Sequence, residues 1–143
     1  MVNDPDSNWF RLICSLWEDV DSEVLRRLFS NFIINANFYG WDILEKARQK
    51  YGCNIPWAIL MDPTSACNLH CTGCWAAEYG NKLNLSLDEL DSVICQGKEL
   101  GTYMYIYSGG EPLVRKDDII RLCEKHDDCV FLAFTNATLI DEA

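Results

Sequence analysis

Hydrophobic positions before Pro56 recur at three- and four-residue spacing, which is the rhythm of amphipathic helices. Three successive stretches carry it: Trp9, Leu12, Ile13, Leu16, Trp17 and Val20; then Val24, Leu25, Leu28, Phe29, Phe32, Ile33 and Ala36; then Trp41, Leu44, Ala47, Arg48 and Tyr51. Gly52 is placed to end the last one. We therefore predict that residues 1–55 form a helical segment of two or three helices packed on a larger body. The polar faces are not rich in lysine or arginine, which disfavours a membrane-surface helix.

After Pro56 the pattern changes to short apolar runs that alternate with amphipathic helices. The apolar runs predict strands at 57–61, 103–107 and 130–135. Ser86-Leu87-Asp88-Glu89 is a capping box that begins a helix ending at Gly101, and 116–127 predicts a second helix. The apolar faces of these two helices are expected to comprise Leu87, Leu90, Val93, Ile94, Gly97 and Leu100, and Ile119, Ile120, Leu122 and Cys123.

The alternation of strand and helix predicts an α/β domain over residues 56–143, with parallel strands joined by right-handed crossovers. Two chemically unusual loops each follow a strand: one carries three cysteines, and the other is Ser108-Gly109-Gly110-Glu111-Pro112. Both should lie at the carboxyl edge of the sheet, where α/β folds place their sites. Three parallel strands cannot close a barrel, so we expect the chain to be part of a longer protein.

Composition narrows the possible functions. The chain has 143 residues, of which 49% are hydrophobic and 24% charged, as in a globular protein. No apolar run is long enough to span a bilayer, and no signal peptide is recognisable at the start, so a cytoplasmic location is expected. The net charge of −10 disfavours broad binding to nucleic acid.

Eight cysteines are many for this length, and three of them, Cys67, Cys71 and Cys74, lie within eight residues. Thiolates are soft ligands that suit iron–sulfur clusters and zinc. Three thiolates on a four-iron cluster would leave one iron open for chemistry, whereas structural zinc wants four ligands and no second Cys-x-x-Cys pair exists. The spacing therefore favours an iron–sulfur cluster. A zinc site and buried or redox-active thiols remain as alternatives. His70 is more simply a packing residue of the loop.

The remaining cysteines and the second histidine have simpler interpretations. Cys14, Cys95 and Cys123 lie on apolar helix faces and are expected to be inert core residues. Cys53 and Cys129 flank secondary-structure elements and are expected to be surface or half-buried thiols. His126 lies near the end of a predicted helix, where it would serve as a cap.

The Cys-x-x-x-Cys-x-x-Cys loop after the first strand, followed by Gly109-Gly110-Glu111-Pro112 after the second, resembles the radical S-adenosylmethionine (radical SAM) superfamily. The run Thr135-Asn136-Ala137-Thr138-Leu139-Ile140 adds to the resemblance, because many members carry a similar run at the third strand. The resemblance covers about three fifths of the chain, from Pro56 onward. It implies that this chain holds the first half, about three βα units, of a partial TIM-type (β/α)6 barrel.

The resemblance also implies cofactors. Cys67, Cys71 and Cys74 would bind three irons of a [4Fe–4S] cluster, and the fourth iron would chelate the amino and carboxylate groups of S-adenosylmethionine. Reductive cleavage would give a 5′-deoxyadenosyl radical that abstracts hydrogen from an unknown substrate, with flavodoxin or ferredoxin as the electron donor. Further cofactor-binding residues would be Ser108, Gly109, Gly110, Glu111, Pro112 and Asn136, with the glycine turn receiving the ammonium group of S-adenosylmethionine.

Two departures from the family pattern concern the cofactor pocket. Many members have an aromatic residue just before the third cysteine, where this chain has Gly73; Trp75 is expected either to cover the cluster or, more simply, to be a core residue. Ala137 replaces a frequent glycine. The alternatives to a radical enzyme are a zinc- or cluster-binding module and a partial chain without catalytic activity of its own.

Overall fold

The sheet is the centre of the fold. A computed structural model of the chain describes residues 4–80 and 82–141. Strands β1 (Ala58–Met61), β2 (Met104–Tyr107) and β3 (Val130–Ala133) pair in parallel in the order β1-β2-β3. The predicted strands and their parallel pairing are confirmed, although each strand is one or two residues shorter than predicted. The described chain is thus a mixed α/β structure with β2 in the middle of the sheet.

Two helices follow β1 and β2 and cover one face of the sheet. Helix α4 (Leu87–Glu99) begins with the predicted capping box: Ser86 Oγ accepts the Glu89 N–H, and the Glu89 carboxylate accepts the Ser86 N–H. Helix α5 (Lys116–Lys125) precedes β3. The capping box of α4 satisfies backbone donors that would otherwise lack a partner at the start of that helix.

The core lies between these helices and the sheet. Its buried centre comprises Met61, Leu90, Ile94, Tyr103, Tyr105, Tyr107, Ile119 and Leu122. The Tyr105 hydroxyl donates to the carbonyls of Ile94 and Thr102, so this ring is buried without losing its hydrogen bond. The prediction that Ile120 is buried was wrong: it is 42% exposed, because it points about 100° away from Ile119 around the helix.

The N-terminal segment contains more helix than the hydrophobic pattern predicts. Helix α1 (Asn8–Asp19) is separate, whereas α2 (Ser22–Phe29) runs through a π-helical segment (Ser30–Tyr39) into α3 (Gly40–Tyr51). The end of α3 is as predicted, since Gly52 adopts a left-handed conformation and its N–H donates to Arg48.

Only the later part of this segment packs on the sheet domain. Ala36 and Leu44 are buried, whereas none of the residues described in α1 or α2 is buried. Trp9 is 59% and Trp17 70% exposed. The expected packing therefore holds for the π-helical segment and α3 and is wrong for α1 and α2, because an amphipathic pattern does not specify what covers the apolar face.

The π-helical segment closes the amino edge of the sheet, which we define as Asn31, Asn35, Gly40, Gly101 and Thr102 with the loop 127–129 before β3. The Asn31 amide donates to the carbonyls of Asp127 and Cys129, and Asn35 donates to Asp128. These side chains supply partners to loop carbonyls that are partly or fully buried.

Several expectations for isolated residues need correction. Cys95 is exposed on α4 and is not a core residue, because it points about 100° away from the buried Ile94 around the helix. Cys129 is buried, because the π-helical segment covers the loop that carries it, whereas a surface or half-buried position was expected. Cys53 is exposed, as predicted, and Cys14 and Cys123 are partly buried. His126 caps α5 through its backbone N–H, but its side chain is buried and faces Asp91.

Candidate functional site

The two unusual loops meet at the carboxyl edge of the sheet, as their positions after parallel strands predicted. The turn after β2 is held against the chain that leaves β1 by three backbone hydrogen bonds. Ser108 N–H donates to Met61, Gly110 N–H to Thr64 and Glu111 N–H to Ala66, at 2.9, 3.0 and 2.8 Å. The last bond ends on the residue directly before Cys67, so the β2 turn fixes the start of the cysteine loop.

Both glycines of the turn are required by this close approach. A Cβ added at Gly110 would lie 2.3 Å from Ala66 O, and one at Gly109 would lie 2.6 Å from Thr64 O. Gly109 also has a φ of +104°, a conformation that residues with a side chain rarely adopt. The glycines thus let the backbone of the turn lie directly on the backbone that precedes the cysteines.

Glu111 joins the turn after β2 to the turn after β3. Its side chain is 1% exposed. One carboxylate oxygen accepts the Leu113 N–H and the Thr135 hydroxyl at 2.9 and 2.7 Å, and the other accepts the Asn136 N–H at 2.7 Å. A buried carboxylate needs such donors to offset the loss of water, and here both strand ends supply them. Pro112, also buried, begins the short 3₁₀ turn (Pro112–Arg115) that Glu111 caps.

Asn136 completes the connection by reaching the cysteine loop. Its amide nitrogen donates to Asn68 Oδ1 at 2.9 Å, and the Asn68 amide donates to the Thr138 hydroxyl at 2.7 Å. Ala137, between these partners, has a φ of +62°. The backbone at this position is thus left-handed, a conformation that glycine adopts freely and that costs an L-residue about 1–2 kcal/mol.

The three clustered thiols line one small cavity. Cys67 is partly buried, Cys71 and Cys74 are exposed, and all three border a cavity of about 220 Å³ together with Gly110 and His70. Cys67 Sγ accepts the Leu69 N–H at 3.5 Å. The loop therefore presents its thiols to the same space that the glycine turn borders.

Two cysteines outside the loop, Cys123 and Cys129, are unsuited to bind metal. Burial raises the pKa of Cys123 to about 11 and that of Cys129 to about 12, so both stay protonated at neutral pH and are poor ligands.

The sulfurs of the loop are also spread out. Among the residues that the structure describes, the one group of three ligand atoms within 4.8 Å of one another is Asp91, Cys95 and His126, not the three loop cysteines. Three thiolates on a single tetrahedral zinc, at about 2.3 Å from it, would lie about 3.8 Å apart. A cluster binds each thiolate to a different iron and accommodates a wider spacing.

A larger cavity of about 860 Å³ adjoins the smaller one along the open edge of β1. The two share Ser65, Ala76 and Gly110 as lining residues. Trp75 lines the larger cavity and is 63% exposed, so the interpretation as a core tryptophan was wrong: the short 3₁₀ turn (Trp75–Tyr79) that carries it lies at the surface.

Among the described residues, no helix is long and apolar enough to cross a membrane.

Sequence reasoning missed Asn68, Thr135 and the backbone of Ala66 as members of this site. Asn68 lies between two cysteines, and Thr135 lies at the end of a predicted strand. These positions at the starts of loops were the one feature of the sequence that could have indicated a role in the site. Only the fold shows that both connect neighbouring loops through side-chain hydrogen bonds.

The sequence is similar to proteins of three organisms. The chain is 33% identical over 102 residues to an uncharacterized protein of Archaeoglobus fulgidus, which covers 68% of this chain and 24% of that protein. It is 42% identical over 64 residues to a GTP 3′,8-cyclase of Shewanella denitrificans and 40% identical over 62 residues to one of Tolumonas auensis. Each of these two matches covers 41% of this chain, and 19% and 18% of the respective cyclases. The chain thus spans about a fifth to a quarter of the length of these relatives. No solved structure matches it significantly.

The family comparison covers β2, β3 and all three strand-end loops, and it begins at the last residue of β1. A sequence model described as Radical SAM superfamily matches residues 61–143, more than half of the chain. Membership implies a [4Fe–4S] cluster and S-adenosylmethionine as cofactors, and the matched residues include the loop in which three thiols border one cavity. The chain belongs to the Radical SAM superfamily.

Proposed function

We propose that Cys67, Cys71 and Cys74 hold three irons of a [4Fe–4S] cluster. The observation that carries the proposal is the cavity that all three thiols border together with Gly110. Two of the thiols are exposed and the third is partly buried, so metal can reach them. The three sulfurs do not all lie within 4.8 Å of one another, a spacing that a cluster accommodates because it binds each thiolate to a different iron.

The turn after β2 is proposed to form the wall on which S-adenosylmethionine binds. Gly109 and Gly110 carry no side chain that could cover the cavity, and Gly110 borders both cavities. Ser108 precedes these glycines in the chain and the Asn136 N–H donates to Glu111, which follows them, so both are proposed to contact the cofactor. Carbonyl groups of the turn would accept hydrogen bonds from the ammonium group of S-adenosylmethionine.

Glu111 and Pro112 are proposed to act by positioning. The carboxylate already accepts three hydrogen bonds from Leu113, Thr135 and Asn136, so its negative charge lies just behind the cavity wall. There it would favour a cation without contacting it. Pro112 fixes the backbone direction in which the turn leaves the site.

The chemistry that the cluster and S-adenosylmethionine supply together is reductive cleavage of the sulfonium and hydrogen abstraction from a substrate by the 5′-deoxyadenosyl radical. The chain's own residues would bind, orient and shield these groups. We propose that the three strands are the first part of a (β/α)6 barrel and that a flavodoxin or ferredoxin donates the electron. The substrate is not assigned.

Electron paramagnetic resonance of anaerobically reconstituted, dithionite-reduced protein tests the proposal. We expect a [4Fe–4S]⁺ signal that changes when S-adenosylmethionine is added. Cys67→Ser, Cys71→Ser and Cys74→Ser should each lose the intact cluster, whereas Cys53→Ser, which replaces an exposed thiol outside the loop, should keep it.

Each other outcome contradicts a stated part of the proposal. Zinc in place of iron would identify a zinc-binding module. A cluster signal indifferent to S-adenosylmethionine would contradict the proposed wall and identify a cluster-binding module without cofactor chemistry of its own. A full cluster in all three loop variants would contradict the ligand assignment.

A further inference from the structure

A second group of ligand-type side chains lies between α4 and the end of α5. Asp91 and Cys95 are one helical turn apart on α4, and His126 directly follows α5. His126 Nε2 lies 2.8 Å from Asp91 Oδ1, and Cys95 Sγ lies 3.9 Å from Asp91 Oδ2. One ligand atom from each of the three residues falls within 4.8 Å of the others.

The fold prearranges this group. The spacing of four residues puts Asp91 and Cys95 on the same face of α4. The His126 ring is only 4% exposed and is therefore fixed in orientation by its surroundings. Cys95 is exposed, so the thiol is open to a metal ion from solvent. A fixed imidazole beside an accessible thiol and a carboxylate is a rigid ligand set with a free approach.

The three ligand types match one metal. Thiolate sulfur, imidazole nitrogen and carboxylate oxygen are the donors that bind Zn²⁺ in proteins, at about 2.0–2.3 Å. Atoms spread over less than 4.8 Å can reach such distances by small side-chain rotations. Three protein ligands leave the fourth tetrahedral position for water.

We propose that Asp91, Cys95 and His126 form a zinc site separate from the cysteine loop. None of the three residues lines the cavity that Cys67, Cys71 and Cys74 border. The ion would join α4 to the end of α5. Binding would release the Cys95 thiol proton to solvent, because the thiolate is the ligand form, and the ion would replace the hydrogen shared by His126 Nε2 and Asp91 Oδ1, leaving the ring proton on Nδ1.

Lys125 opposes metal binding. Its ammonium group lies 2.8 Å from the Asp91 carboxylate and competes for it. A zinc ion must displace this ammonium group, which then turns to solvent, where its side chain is already 61% exposed. Removing a ligand should weaken metal binding, whereas removing the competing charge of Lys125 should strengthen it. This difference in sign distinguishes Lys125 from the three proposed ligands.

Cobalt titration of the full chain tests the site without interference from the loop. In the variant Cys67→Ser/Cys71→Ser/Cys74→Ser we expect one equivalent of Co²⁺ to bind with a thiolate-to-cobalt charge-transfer band, and Zn²⁺ to displace it. Adding Cys95→Ser should abolish the band and weaken binding at least about tenfold. Adding Cys53→Ser instead should change neither.

A further variant keeps the proposal falsifiable if His126 substitutions fail to fold. Lys125→Met in the same background should tighten Co²⁺ binding several-fold, with unchanged far-ultraviolet circular dichroism. Absence of the band in the loop variant, its persistence after Cys95→Ser, or weaker binding after Lys125→Met would each overturn the proposal. None of these results depends on the cluster, because the loop cysteines are absent throughout.

Discussion

Both edges of the sheet combine close backbone contacts at glycines with side-chain hydrogen bonds, but they differ in what lies beside them. At the amino edge, an added Cβ at Gly101 would lie 2.4 Å from Gly40 O, and the Asn31 amide donates to loop carbonyls. At the carboxyl edge, the Glu111 carboxylate and the Asn136 amide connect three loops, and two of these loops, the cysteine loop and the glycine turn, border cavities.

Because only the carboxyl edge borders the cavities, we expect the two edges to affect different properties of the protein. Contacts at the amino edge connect helices to the sheet and border neither of the two cavities described above, so changes there should lower the free energy of unfolding alone. Contacts at the carboxyl edge set the positions of the thiols, so changes there should also alter cluster content. In α/β folds, sites lie at the carboxyl ends of the strands. The following substitutions test this separation.

Gly101→Ala should have the largest effect. Gly101 has a φ of +93°, and a Cβ there would lie 2.4 Å from Gly40 O and 2.5 Å from Leu44 N. We expect a loss of about 3 kcal/mol or more, measured by urea unfolding, with unchanged cluster content per folded chain. Gly52→Ala is the control: its φ is also positive, but nothing lies within 4 Å, so the cost should be only about 1 kcal/mol. Equal losses in the two variants would contradict the close packing.

Glu111→Gln should lower both the free energy of unfolding and the cluster content. The new amide group would place a donor opposite the N–H of Leu113 or Asn136. We expect a loss of about 2–3 kcal/mol and a lower iron content after reconstitution. Exposed Glu99→Gln on α4 should change neither. Full iron content in Glu111→Gln would break the proposed link between this carboxylate and the cysteine loop.

Asn31→Ala should lower stability without affecting the cluster. It removes donors from the carbonyls of Asp127 and Cys129, and we expect a cost of about 2 kcal/mol in urea unfolding. Asn37→Ala is the matched control, because its exposed amide donates to the Phe32 carbonyl in the same helix and its loss should matter by less than about 0.5 kcal/mol. A loss of iron in Asn31→Ala would show that the edges are coupled.

Ala137→Gly should have the smallest effect, and of opposite sign. Glycine removes the cost of the left-handed backbone and adds chain entropy to the unfolded state, which leaves a gain of about 0.5 kcal/mol. In contrast, Ala47→Gly within α3 should cost about 1–2 kcal/mol, because it adds the loss of a buried methyl group to the cost of glycine in a helix. Thermal unfolding of both variants measures the difference. A loss of stability in Ala137→Gly would contradict the strain at this turn.

The carboxyl edge was the more predictable region. Strand order alone places the cysteine loop and the Gly109-Gly110 turn at one edge, and the capping box at Ser86 is a local signal that the fold keeps. The inward direction of Glu111 could not be predicted, because its three donors come from residues up to 25 positions away.

The amino edge was less predictable for the same reason. The hydrophobic pattern predicts helices but not their partners, so the exposure of α1 and the burial of Cys129 depend on how the π-helical segment docks. Asn31 and Asn35 interrupt an apolar stretch in the sequence. Their role appears only when the loop before β3 lies beside them.

The hydrogen bond from Glu111 N–H to Ala66 O fixes the number of residues between the end of β1 and the first cysteine of the loop. It ends one residue before Cys67, and a second bond ends on Thr64 O. An insertion or deletion between Thr64 and Cys67 would move the first cysteine along the chain while the turn after β2 stayed in place. Length variation is therefore forbidden in this short stretch.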